Sequence, residues 1–274
     1  SGSLRGRVIV ADEDKNSYLD RYQARKQVAS GVIEADLGPS TVLTLGHAQQ
    51  NNRPQGLMWG ALPLYYSDGS AIDYDSSASS APAWARWDTN DGRSFAELLH
   101  DLGGGWSAKA TLNQRRIRSD TAMLYIYGTP DRATGAGLFS WPSTYDHQER
   151  QTLADLQFKG PFQLAGRQHE AVFGASAGRN KVDMASSYDD LGQALTLQQV
   201  LDGSFAMPDF DQGVSAFGNR VDKRRTVYSA GKFNLSDSLK LIAGLNLTRA
   251  SSAGVQGSPP SIRTVSRGKS SVWW

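Results

Sequence analysis

The chain has no cysteine in its 274 residues, which removes disulfide frameworks, thiolate metal sites and cysteine nucleophiles together. It also lacks any run near the ~18 apolar residues that a membrane-crossing helix requires, whereas barrel strands cross with ~9–11 residues each. Membrane residence through strands therefore stays open. Charge of one sign is lacking too: 29 basic residues against 27 acidic leave a formal +2, which argues for neither a nucleic-acid surface nor an acidic tail. Apolar residues are scarce, 39% against the roughly 45–50% of globular chains on a count that includes Gly, so any core is thin. Histidine is limited to His47, His100, His147 and His169, scattered without the spacing that sets two ligands on one face, and a protein-ligated metal is not expected. The opening residues, Ser1 to Arg7, show no initiating Met, apolar signal core or cleavage site and read as the interior of a longer protein.

What is present in quantity is glycine (28), tyrosine (10) and tryptophan (7), together with clean two-residue alternation. Trp106, Ala108, Ala110 and Leu112 share one parity against Ser107, Lys109, Thr111 and Asn113. Leu239, Leu241, Ala243, Leu245 and Leu247 repeat the pattern, as do Ala171, Phe173, Ala175 and Ala177, and less cleanly Ala29 to Leu37, where Val32 interrupts. Small residues on the apolar parity suit a lipid-facing surface better than a sandwich core, which needs bulk to interdigitate with a second sheet. Tight turns are expected at Gly38-Pro39-Ser40, Gly103-Gly104-Gly105, between Gly160-Pro161 and Gly166-Arg167, and at Asn234 to Asp237. Long connections are expected over 12–25, 53–91, 127–145 and 179–219, beyond the ~12–15 residues at which loops become functional. These features predict an all-β, antiparallel up-and-down meander of about nine long strands, short turns at one end and long loops at the other. Ser94 to Leu102 carries helix formers but runs into a glycine turn and reads as strand, while Asp190 to Asp202 predicts a short helix ending at Gly203.

No catalytic pattern survives its context. Gly174-Ala-Ser-Ala-Gly178 matches the nucleophile-elbow spacing, but the helix that must follow is replaced by the extended, polar Arg179 to Met184. The acidic run Asp12 to Asp14 and the spaced Asp73, Asp75, Asp88 and Asp91 lack calcium-loop spacing. Arg115, Arg116 and Arg118 read as a salt-bridged or solvated strand segment, with a lining for an anionic ligand as the alternative. The aromatics of the 53–91 connection, Trp59, Tyr65, Tyr66, Tyr74, Trp84 and Trp87, are denser than a mere connection needs. They suit either a membrane-interface girdle or a surface whose flat rings stack on a ligand.

Several phrases together carry a resemblance. Gly2-Ser-Leu-Arg-Gly-Arg7, Tyr18-Leu-Asp-Arg-Tyr22, Glu34-Ala-Asp-Leu-Gly-Pro39, Gly60-Ala-Leu-Pro-Leu-Tyr-Tyr-Ser-Asp-Gly69, Tyr127-Gly-Thr-Pro-Asp131 and Gly160-Pro-Phe162 with Gly166-Arg167 resemble successive barrel segments of TonB-dependent siderophore receptors over residues 1–255. The resemblance implies a 22-stranded outer-membrane barrel with a plugged lumen. This chain would supply a partial, open wall of it, starting near the second strand, with the long loops extracellular. It implies binding and import of a ferric siderophore at the outer membrane of a Gram-negative bacterium, not enzymatic chemistry. Iron would enter only as the siderophore's own ligand, with no other cofactor and no nucleic acid. Partners would be the siderophore, outer-membrane lipid and the TonB energy-coupling protein acting through the plug. The ligand contacts implied are Trp59, Tyr65, Tyr66, Trp84, Trp87, Tyr127 and Arg132. Residues 256–274 lose the family's character, read as a low-complexity basic tail, and place Pro259-Pro260 where no central strand tolerates them. The rival readings are a soluble β-sandwich, either a carbohydrate-binding module or an enzyme, and a passive porin-like channel.

Overall fold

The computed structural model describes residues 3–211, 214–258 and 261–273, with residues 214, 256–258 and 261–273 described as backbone only. A single antiparallel sheet runs in chain order: β1 (Leu4–Asn16), β2 (Gln23–Gly38), β3 (Thr41–Gln55), β4 (Arg86–Gly103), β5 (Trp106–Gly128), β6 (Ala136–Leu164), β7 (Arg167–Tyr188), then β9 (Val214–Asn234), β10 (Lys240–Ser258) and β11 (Ser261–Trp273). Short β8 (Ala194–Thr196) pairs beside β6, off this path. Among the described residues β1 and β11 form the two ends of the sheet and it does not close; no second sheet packs across it, which excludes the sandwich. Ser94 to Leu102 lies within β4. Ser176 of the elbow-like motif sits mid-strand in β7, which runs on to Tyr188 where an elbow would turn directly into a helix. Residues 261–273, expected to form a tail, pair with β10 from Leu247↔Trp273 to Ser258↔Ser261, whereas Pro259 and Pro260 lie outside the described residues.

Cross-strand register explains why small apolar and polar residues alternate. One row across nine strands reads Leu4, Ala35, Leu43, Leu98, Ala110, Leu156, Ala175, Val227, Leu247; the next reads Arg5, Glu34, Thr44, Glu97, Thr111, Asp155, Ser176, Thr226, Thr248. Because directly opposed residues share a face, a one-residue slip anywhere would exchange the two surfaces, and the pattern locks the register. Along β5 the apolar parity is exposed and the polar parity half-buried from Thr111 to Ser119, as in a sheet that curls its polar face inward. The convex band is open: Leu245 is 52% and Val227 52% exposed. On the concave side Arg5 pairs with Glu34 at 2.8 Å, Lys109 with Glu97 at 3.0 Å, and the Tyr228 hydroxyl donates to Asp155 at 3.1 Å.

The tight turns fall at residues 39–40, 104–105, 165–166 and 235–239. Gly160 and Pro161 are not part of a turn but lie inside β6. Proline is tolerated there because β5 pairs with β6 only as far as Lys159, so the missing N–H falls on an unpaired side. Strands run further out than alternation suggests: the connections shrink to residues 17–22, 56–85 and 129–135, and the last, 189–213, contains β8 and the helix α1 (Leu197–Asp202). The helix is shorter than expected, opening on a capping box between Thr196 and Gln199 and ending at Gly203 with φ 66°.

Candidate functional site

Beyond Ala122, where β4 stops pairing, β5 continues with β6 alone, and residues 56–85 fold against it through a bridge from Trp59 to Tyr125. The two faces of this outer part differ. On the parity of Leu124, Ile126 and Leu138, the 56–85 and 189–213 connections meet in a buried apolar cluster with Leu195, Leu197, Val200 and Phe205; Leu62, Tyr66, Ile72, Tyr74 and Trp84 pack onto it. Each such side chain, fully buried, contributes about 1.5–3 kcal/mol. Trp84 Nε1 donates to the Phe205 carbonyl at 2.8 Å and Tyr74 to the Pro63 carbonyl at 2.7 Å. Burial and the nearby Tyr66 push the Tyr74 hydroxyl up to about 12, keeping it a neutral donor.

The opposite parity, continuous with Thr111 and hence concave, carries a ladder of rings. Tyr127 lies 5.6 Å from Phe139 and 6.4 Å from Trp141 between centroids; Trp141 lies 6.3 Å from Tyr188, Tyr188 6.1 Å from Tyr145, Tyr145 6.0 Å from Trp59, and Trp59 5.9 Å from Trp87. Its inner end opens on a cleft of about 670 Å³ lined by Trp59, Trp87, Tyr145, Met184, His147 and Arg220 among others, within the range of small-ligand sites. The cleft offers aromatic faces, a thioether and few charges, a surface for stacking and van der Waals contact rather than bond-breaking. Among the described residues no group of three or more His, Cys, Asp or Glu is placed to hold a metal ion.

The structure sorts the seven residues singled out from sequence. Trp59, Trp87 and Tyr127 stand in the ladder. Tyr65, 56% exposed, and Arg132, whose Nη1 reaches Ser70 Oγ at 3.5 Å, lie at an outer junction where Ser67 N donates to the Pro130 carbonyl. Tyr66 and Trp84 pack in the cluster on the other face. Sequence reasoning missed Phe139, Trp141, Tyr145 and Tyr188. Phe139, Trp141 and Tyr145 share a parity within twenty residues of Tyr125 and Tyr127, a signal that alternation carries. The basic stretch also divides: Arg115 is on the concave face with its Nε 2.9 Å from Asp91, whereas Arg116 and Arg118 point to the convex one.

One side chain ties the connections together. Arg21, at φ 65°, donates from Nε to the Ala81 carbonyl at 2.7 Å, from Nη2 to Ser79 at 2.7 Å and from Nη1 to Leu201 at 2.8 Å. It thereby joins residues 17–22, 56–85 and the helix end. Gly56 and Gly203, both at positive φ, leave room for it, since a Cβ at either would run into Arg21 itself. Charge-assisted bonds contribute about 1.5–3 kcal/mol each. With partial replacement by water, Arg21→Ala is expected to release the junction by about 3 kcal/mol, read as roughly hundredfold faster amide exchange in residues 77–85 and 199–205. Unchanged protection there would show that the apolar cluster holds the connections alone.

Comparison with known proteins gives a consistent set. The family model described as TonB dependent receptor-like, beta-barrel matches residues 34–273. The chain is 30% identical over 280 residues to the ferripyoverdine receptor of Pseudomonas aeruginosa, covering 97% of this chain and 32% of that protein. It is 30% identical over 252 residues to the ferric-pyoverdine M114 receptor of a Pseudomonas species, covering 89% and 30%. The crystal structure of the Pseudomonas aeruginosa ferripyoverdine receptor bound to ferripyoverdine superposes with a TM-score of 0.80 at 27% identity, covering 98% of this chain and 36% of that one. The ferric-catecholate import receptor Fiu of Escherichia coli shares the fold, with a TM-score of 0.80 at 14% identity over 99% and 46%. The chain thus spans about a third of the length of the curated relatives it matches.

Proposed function

Because this chain belongs to the TonB-dependent receptor β-barrel family of the Gram-negative outer membrane, we propose that it forms wall and outer loops of a receptor that binds and imports a ferric siderophore. The observation that carries the reading is the concave ladder from Tyr127 to Trp87 with its 670 Å³ cleft, set beyond a wall apolar outside and polar inside. A ferric siderophore brings its own iron ligands, so the protein need supply only aromatic faces and a few polar groups. Iron is cargo here, and the chemistry is binding and passage. Trp59 and Trp87 would stack on the ligand, with Tyr127 further along the same ladder and Tyr65 and Arg132 at the outer rim. Tyr66 and Trp84 would act through the cluster that positions Trp59. The convex band would face lipid, and energy would come from the TonB protein acting on the family's plug.

The relatives' names make a ferric pyoverdine the first ligand to try. In a receptor carrying these strands, Trp59→Ala and Trp87→Ala are each expected to weaken binding by about 2 kcal/mol, the scale of a buried interface tryptophan, in a fluorescence-quenching titration. Unchanged affinity in both variants would remove the ladder from the binding site and leave its rings as a girdle.

A further inference from the structure

Trp59 and Trp87 flank the two ends of the 56–85 connection, and the 5.9 Å between their ring centroids depends on how those ends are closed. The apolar cluster holds the body of the connection, through Leu62, Tyr66, Ile72, Tyr74 and Trp84. Closure is made elsewhere. Gly56 N donates to the Ala85 carbonyl at 2.7 Å, and the approach to Ala85, residues Ser79 to Pro82, is irregular backbone that is buried throughout. Buried backbone outside regular pairing must find partners for its carbonyls. Arg21 supplies two of them, at Ser79 and Ala81, while Asp20 N donates to the Ser77 carbonyl at 2.8 Å. Its third bond ends on Leu201 in α1, the helix whose Leu197 and Val200 belong to the cluster that receives Trp84. The connection 17–22 thus grips the closing end of the aromatic connection from behind, together with the helix that backs it.

Arg21 lines no part of the cleft. Its backbone sits at φ 65°, a left-handed conformation that a residue with a Cβ adopts at a cost and keeps only where its surroundings demand it. The demand here is geometric, since the guanidinium must reach carbonyls of two separate connections at once. We propose that Arg21 is a positioning residue for the cleft: it holds Trp59 and Trp87 in the arrangement that receives the ligand, without touching the ligand itself. The inference rests on reading the cleft as the siderophore site. Its consequence is kinetic. Without Arg21 the closing end comes loose, the ring pair is ready for only part of the time, and apparent affinity falls in proportion to the ready fraction. A ligand that meets a ready receptor still makes every contact and leaves at the usual rate. A residue in contact with the ligand behaves in the opposite way, because its loss shortens the residence time.

The test uses a closed family barrel completed with these strands, its integrity shown by gel mobility that shifts on heating. Tryptophan is replaced by 5-fluorotryptophan, and the fluorine resonance of Trp59 is assigned through W59F. Without ligand, Trp59 is expected to give one signal in the unsubstituted receptor and a second, released signal in R21A. R21K is expected to lie between them, because a point-like ammonium cannot reproduce the three-way grip of the guanidinium fork. With ferric pyoverdine in stopped flow, association is expected to slow about tenfold in R21A and about threefold in R21K, with dissociation unchanged within about twofold. W87A is expected to show the reverse, faster dissociation with little change in association. A single, unchanged Trp59 signal in R21A would overturn the proposal, as would an affinity loss carried wholly by faster dissociation. Should R21A fail to fold, R21K carries the same two readouts. A second Trp59 signal in R21A beside unchanged affinity in both W59A and W87A would overturn the reading of the cleft instead, while confirming that Arg21 sets the ring pair.

Discussion

Expressed behind an export signal in cells lacking the native receptor, the 274-residue chain by itself is expected to restore no growth on ferric siderophore. Its described strands form one open sheet with β1 and β11 at the margins. In hydrocarbon every unpaired N–H and C=O along such a margin costs several kcal/mol, and only a closed barrel removes the margin. Water can satisfy these groups; lipid cannot. The chain is therefore expected to aggregate, to be degraded or to be held by periplasmic chaperones. Growth equal to that given by an intact receptor would refute this, as would a protease-resistant monomer in outer-membrane fractions whose gel mobility shifts on heating. Joining the same strands to the remainder of a family barrel should reverse the result, because pairing partners then exist for both margins.

The second large effect concerns the apolar band. Ala243 lies on β10 opposite Gly231, between Leu241 and Leu245, all on the convex parity. Arginine there, near the bilayer midplane of a closed parent barrel, is expected to cost about 2–4 kcal/mol. Arginine at Asn246, which opposes Tyr228 on the concave parity, should cost about 1 kcal/mol or less, because the lumen hydrates it. Urea titration of folding into lipid vesicles measures both. Equal costs would mean that the band does not face lipid.

Much of this architecture could be read from residue order. The Ala108 to Leu112 and Leu241 to Leu247 alternations predicted the faces that register confirms, and the glycine turn at 103–105 outweighed the helix formers of Ser94 to Leu102. Strand ends were missed for a physical reason. Beyond the apolar band both faces of the wall are polar, so the period of two fades although pairing continues, as in Asp12↔Gln27↔Asn51. The ladder face was half visible. Aromatic density pointed to residues 56–85, but an irregular connection has no period from which to tell Trp59, turned to the ladder, from Trp84, turned to the cluster. Tyr145 and Tyr188 join Trp59 only through pairings between distant segments. Nothing local to Arg21 announces three carbonyl partners, two of them about sixty residues away and the third 180.

The unusual length of the strands sets the height at which the ring ladder stands. β6 has 29 residues, whereas a tilted strand crosses the hydrocarbon with ~9–11. From Leu112, at the edge of the apolar band, to Tyr125 beside the ladder, β5 climbs roughly 43 Å along its own axis at about 3.3 Å per residue. At a tilt of ~45° that is about 30 Å of height beyond the apolar band, about as much again as the hydrocarbon of a bilayer is thick. With the apolar band set in lipid as proposed, the stacked rings would stand as a parapet clear of the headgroups. A bulky solute arriving from the medium would meet them well before it reached the level of the apolar band, and the wall below would serve as a chute rather than as the first point of encounter.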